Sequence, residues 1–344
     1  MMFPVIFILA FAIIVWQVQK WSVENALKGI QYNREASKTV CAPGEIFQLI
    51  TTVTNTSRRI IPYIEVDERL EDLRHNFKAY LMPRSRLVRR VEVSLLNRGR
   101  YTFPQALVSA GDFLGLSERR ERFHTMGEVV IYPQEAEGDY LDHVMGSLLG
   151  DISVKRFIAP DPILVMGFSE YTGREPMKAI SWPQTLRSGQ MMVKNYDYTT
   201  ELSATVVLSV DCLTGTMLPE GAVGQIEKCL SIARTVCSTL EKRKIKYDFY
   251  SNITASGKVG GWSYVREGYG KRHFTYILEG LGRAALFKFE SFERLVRRVA
   301  KGQTYAADKA IIFIAPNNKD KVAQIIKQAG KEIKSATIIV AEQM

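Results

Sequence analysis

The chain has 344 residues, 46% hydrophobic and 24% charged, with a formal net charge of +10. That length suits about two domains, and the composition is ordinary for a folded protein. The four cysteines form no Cys-x-x-Cys pair and the four histidines are scattered, which excludes a zinc module. Cys212, Cys229 and Cys237 sit in apolar contexts, and buried free thiols fit a reducing compartment better than a disulfide framework.

The positive charge is uneven. Residues 201–344 carry 22 basic and 14 acidic side chains, so the excess lies in the C-terminal third. Such a surplus either faces anionic lipid, nucleic acid or an acidic partner, or is a solvated basic surface.

Residues 1–19 contain no charged side chain. A helix over 1–19 reaches about 28 Å, close to the ~30 Å of a bilayer core, so a transmembrane helix is expected over 1–20. There is no basic leader and no small-x-small cleavage site, as a signal peptide needs. Trp16 and Trp21 suit an interfacial belt, and Lys20 and Lys28 follow. The expectation is a single-pass anchor in the cell membrane, with the N-terminus outside and the soluble domains cytoplasmic.

Residues 25–135 read as an all-β domain. Alternating or β-rich runs at 48–54, 60–66, 87–95, 99–108 and 128–132 are separated by turn chemistry such as Ala42-Pro43-Gly44 and Asn97-Arg98-Gly99. The pattern predicts a β-sandwich. Arg84, Arg86, Arg89 and Arg90 are clustered, but adjacent strand positions face opposite ways.

Residues 136–200 form a linker and a central stretch. The stretch 167–194 interleaves charges, aromatics and turn residues with no single period, which suits an ordered surface loop on a scaffold. Pro176 favours a helix start near 177, and Pro183 is expected to end that helix early. Trp182 is expected as a buried anchor. Glu170, Glu175, Lys178 and Arg187 are expected to pair with one another or to present a recognition surface.

The stretch also resembles the membrane-associated family known as domain of unknown function fifty-eight. That family's motif is approximately Glu-Tyr-x-x-Gly-Asp-x-x-Arg-x-Ile-x-Trp, then Arg, then a Leu-x-Val-Lys strand. Glu170, Tyr171, Ile180, Trp182, Arg187, Val193 and Lys194 match it; Glu175 and Lys178 keep the charge of the family's Asp and Arg. Ser169, Arg174 and Ser181 depart from it. Weaker similarity covers 112–116 and 130–133. The resemblance implies an interaction motif at Glu170, Tyr171, Glu175, Lys178, Ile180, Trp182, Arg187 and Lys194, and an AAA+ ATPase of the MoxR class as partner.

Residues 201–344 read as α/β. The run 204–210 is a continuous apolar strand ending at Asp211. A helix follows over 225–242, with Ile226, Leu230, Ala233, Val236, Cys237 and Leu240 on one face. Further strands are expected at 246–250, 310–315 and 336–341. Helices are expected at 319–329 and over 274–281, the latter continuing through 289–299. The alternation predicts a doubly wound sheet and is similar to the von Willebrand factor A-like fold. Folds of that kind often hold Mg²⁺ through Asp-x-Ser-x-Ser. Here Asp211 is kept but Leu213 and Gly215 replace the serines, so the metal site is degenerate and no cofactor is expected.

No phosphate-binding Gly-x-x-x-x-Gly-Lys-Ser/Thr and no Gly-x-Ser-x-Gly elbow occurs. Trp262, Tyr264, Arg266, Tyr269, Lys271 and Arg272 interleave aromatics with cations, without a recognised nucleic-acid module. The expected fold is thus an N-terminal transmembrane helix, a β-sandwich and a von Willebrand factor A-like α/β domain. The expected function is a non-enzymatic, membrane-anchored adaptor for a MoxR-type AAA+ ATPase. Two alternatives stand beside it: a hydrolase with Glu170 and Glu175 as acid and base, and a basic module for anionic lipid or nucleic acid.

Overall fold

The computed structural model describes residues 6, 10, 11, 13–17, 27–70, 73–112, 117–158, 165–196, 203–212, 221–257, 262–303, 309–329, 333 and 336–343. The chain divides into two compact units, Met1–Tyr132 and Pro133–Met344.

The first unit holds strands β1 (Ile30–Ala36), β2 (Val40–Cys41), β3 (Ile46–Asn55), β4 (Ile61–Leu70), β5 (Leu73–Leu81), β6 (Arg86–Ser94), β7 (Gly99–Thr102), β8 (Ala106–Gly111), β9 (Glu118–Phe123) and β10 (Glu128–Ile131). They form sheets in the orders β1-β3-β6, β2-β10-β7 and β5-β4-β8-β9. Strand β3 shows how the pattern works. Phe47, Leu49, Thr51, Val53 and Asn55 alternate inward with partly exposed neighbours, as the two-residue period of a strand requires. Val53 of β3 shares one apolar cluster with Ile64 and Val66 of β4 and Val108 of β8, so the first and third sheets bury a common core. Within this unit Glu68 is 2% exposed and its Oε1 accepts hydrogen bonds from Thr51 Oγ1 at 2.6 Å and Tyr32 Oη at 2.8 Å. Arg34 lies 3.6 Å from the other carboxylate oxygen. A carboxylate is tolerated there because donors and a cation surround it.

The second unit contains α1 (Asp139–Ile158), β11 (Val165–Glu170), α2 (Trp182–Ser188), β12 (Met192–Tyr196), β13 (Ser203–Leu208), α3 (Ala222–Lys242), β14 (Lys246–Ser251), β15 (Ile253–Ala255), β16 (Tyr264–Gly268), α4 (Lys271–Arg283), β17 (Ala284–Lys288), α5 (Phe292–Gln303), β18 (Ala310–Ala315), α6 (Lys319–Ala329) and β19 (Ala336–Val340). Its main sheet has the order β16-β14-β13-β18-β19. Strands β13 and β18 are nearly continuous buried runs, as strands covered on both faces must be. One apolar cluster joins the sheet to α3 and α4, through Ile226, Leu230, Ile277 and Leu281. Another joins it to α5 and α6, through Leu295, Val299, Val322 and Ile326.

Three expectations are corrected. The doubly wound, von Willebrand-like reading required strand–helix alternation alone. The observed sheet instead carries β16 antiparallel on β14, and β15 pairs antiparallel with β17. Among the described residues nine strand pairings are antiparallel and four parallel. The helix expected to run on from 274–281 into 289–299 is two helices, because Ala284–Lys288 is a strand. The four apolar residues that open it, 284–287, do not distinguish strand from helix by their period. Finally, no helix among the described residues is long and apolar enough to cross a membrane. Of the predicted span 1–20, residues 1–5, 7–9, 12 and 18–20 lie outside the described residues. The single-pass membrane topology and the cytoplasmic placement that rested on it are withdrawn.

Candidate functional site

The sequence motif folds into a small module of its own. Strand β11 pairs antiparallel with β12, with Glu170 opposite Met192, Ser169 opposite Val193 and Phe168 opposite Lys194. The connection between them is folded back and pinned. The backbone N–H of Tyr171 donates to Met191 O at 2.7 Å and that of Ser181 to Met192 O at 2.8 Å. Ile180 forms an isolated bridge with Val193, and both are buried. Thr185 Oγ1 accepts the N–H of Met192 at 3.0 Å.

Pro183 does not end a helix; it lies in the first turn of α2, where its missing N–H has no intrahelical partner to lose. The preceding turn of 3-10 helix, Met177–Ala179, stops at Ile180, whose ψ is 131°. Gly189 ends α2 at φ 72°, a left-handed conformation in which a side chain is strained.

The motif residues divide into frame and surface. Ile180 is frame. Trp182, expected as a buried anchor, is 60% exposed, and Leu186 one helical turn on is 86% exposed. Met177 and Phe168 are exposed as well. The expected ion-paired cluster does not form: among the described residues no salt bridge joins Glu170, Glu175, Lys178 and Arg187. Glu175 instead accepts the Thr172 N–H at 3.1 Å and the Thr172 hydroxyl at 2.9 Å. These bonds, the hydroxyl's first, hold its carboxyl below the usual range, opposite to the shift that suits a general acid near neutral pH. Glu170, Lys178 and Arg187 are exposed, and Tyr171 and Lys194 are half-buried.

Asp211, three residues past the C-terminal end of β13, is 7% exposed. Its Oδ1 lies 2.7 Å from Lys288 Nζ, and its Oδ2 accepts the Phe292 N–H at 3.2 Å, at the start of α5. A lysine ammonium and a helix N-terminus therefore surround the carboxylate. Leu213 and Gly215 lie outside the described residues. Among the described residues no group of three or more His, Cys, Asp or Glu is placed to hold a metal ion. Lys288 escaped the sequence reading because 77 residues separate it from Asp211. The Trp182–Leu186 spacing of four was visible and marks one helix face.

No family model matches the chain, and no curated protein matches it. Among solved structures it is similar in part to the CARDB domain of a Pyrococcus furiosus protein in complex with di-metal ions. That likeness has 13% identity, covers 30% of this chain and 90% of that one, and has a TM-score of 0.23. An alkylpurine DNA glycosylase from Pseudomonas fluorescens matches at 16% identity over 30% of each chain, with a TM-score of 0.23. The sporulation control protein of Bacillus subtilis matches at 11% identity over 42% of this chain and 58% of its own, with a TM-score of 0.18. These values carry no argument about function, which rests on the residues of this chain.

Proposed function

We propose that the chain is a non-enzymatic binding module and that the β11–β12 module is its docking surface. The observation that supports this is the exposure of Trp182 and Leu186 on a scaffold pinned by backbone hydrogen bonds. Exposed aromatics on a rigid frame make good binding anchors, since little side-chain entropy is lost on contact. Met177 and Phe168 extend the apolar surface of the module, and Arg187 adds a cation. The occupant is an AAA+ ATPase of the MoxR class, the partner implied by the motif resemblance.

The test is biolayer interferometry of the full chain against a purified MoxR-class ATPase from the same genome, with and without a non-hydrolysable ATP analogue. Binding should weaken at least about tenfold in Trp182→Ala, the size of loss expected of a central aromatic anchor. Equal binding by wild type and Trp182→Ala, or no binding in either nucleotide state, overturns the proposal.

A further inference from the structure

The outer face of the four-stranded sheet in the first unit holds a concavity of about 510 Å³, lined by Asp67, Arg69, Pro104, Gln105, Leu107 and Arg122. That volume falls within the range of small-ligand sites. Strand register explains why these residues meet. Asp67 pairs with Leu107, and Leu107 pairs with Arg122 on the next strand. Arg69 lies two residues beyond Asp67 on the same strand, hence on the same face, and Gln105 stands two before Leu107. Arg69 and Arg122 thus flank the concavity from β4 and β9, two strand spacings across and two residues along, roughly 12 Å apart at the backbone. Both side chains are long enough to reach one group between them.

The charge of this face is not balanced locally. Asp67 is the acidic lining residue, and both its oxygens are held by Arg74, at 2.9 and 2.7 Å. That bidentate bond keeps the Asp67 carboxyl below its ordinary range. Asp67 is thus held chiefly by Arg74, and Arg69 acts on it more weakly through space. Among the described residues, no salt bridge engages the guanidinium of Arg69 or Arg122. Two forked donors thus line the same concavity as the apolar Leu107 and Pro104 and the Gln105 amide. Guanidinium forks match the planar oxygens of carboxylate and phosphate, and the floor suits an apolar group attached to the anion.

We infer that this concavity is a binding site for a small ligand carrying an oxyanion, carboxylate or phosphate, next to an apolar group. Arg69 and Arg122 grip the oxyanion from opposite sides, and Leu107 and Pro104 take the apolar part. The site is independent of the β11–β12 docking surface, and either assignment stands or falls alone.

Isothermal titration of the full chain with phenyl phosphate, benzoate and benzyl alcohol tests it. At least one of the two anions should bind about tenfold or more tightly than the uncharged alcohol. Whichever anion binds tighter names the source of the oxyanion. Arg69→Gln and Arg122→Gln should each weaken that anion about tenfold, the usual loss of one charge-assisted hydrogen bond. Arg90→Gln, an exposed cation on the other sheet, should leave it unchanged. Arg69 and Arg122 are exposed, so both variants should fold, as circular dichroism will verify. Neither anion outbinding the alcohol, or anion binding that survives both substitutions, overturns the inference.

Discussion

Replacing Lys288 by Met tests the account of Asp211 most directly. The substitution keeps the length of the side chain and removes the ammonium 2.7 Å from Asp211 Oδ1. Stripping one partner from a fully buried ion pair costs about 3–5 kcal/mol, and an exposed pair contributes about 0–1 kcal/mol. This pair lies between those limits: the Asp211 side chain is 8% exposed and that of Lys288 43%. Water can therefore partly replace the lost ammonium, while the Phe292 N–H stays in place. The expected loss is about 1–3 kcal/mol. With a urea slope of about 2 kcal/mol per molar, the midpoint should fall by about 0.5–1.5 M. Trp262, 7% exposed and 5.6 Å from the Phe249 ring, reports unfolding of this unit by its fluorescence. The decisive measurement is the cycle with Asp211→Asn. The double variant should be less damaged than the sum of the singles by about 1 kcal/mol or more. Strictly additive effects would refute the claim that Lys288 supports Asp211.

Three further outcomes are expected. Gly280→Ala, normally favourable within a helix by about 0.5–1 kcal/mol, should here destabilise by about 1–3 kcal/mol. Its Cβ would fall 1.2 Å from Trp262 Nε1, and a rise in melting temperature would contradict that packing. His75 has a folded-state pKa below its ordinary 6.5, lowered first by burial and then by Arg34. A base with a depressed pKa contributes fully above its unfolded value, and that contribution is lost as pH falls from there through the lower folded value. The urea midpoint should therefore decline as pH falls below about 6.5, and His75→Gln should flatten that decline. An unchanged slope in the variant would assign the decline elsewhere. Trp182→Ala should alter the melting free energy by no more than about 0.5 kcal/mol, and a larger loss would mean that Trp182 packs rather than presents.

Several parts of the chain announced themselves. The strand at Ala310–Ala315 and the helix at Lys319–Ala329 were legible, since an unbroken apolar, Ile-rich run and a one-sided apolar stripe each have few readings. Strand β9 was not. Its Glu-Arg-Arg-Glu-Arg has no alternation, and it is a strand because β8 offers it a ladder. The run Ala284–Lys288 was misread as helix for the opposite reason: its residues suit either state, and pairing with β15 decides.

The candidate sites divide along the same line. The composition of the motif and the position of Asp211 are properties of the sequence alone, because they depend on neighbours within a few residues. What no local pattern carries is which side chains end up covered and which distant groups meet. Trp182 is exposed because Ile180 and Val193 take the buried positions of its module. Lys288 reaches Asp211 across 77 residues, and Arg69 and Arg122 come to flank one concavity only through the order β5-β4-β8-β9. Those facts follow from strand pairing, a long-range choice made by the whole core, and only the tertiary structure could supply them.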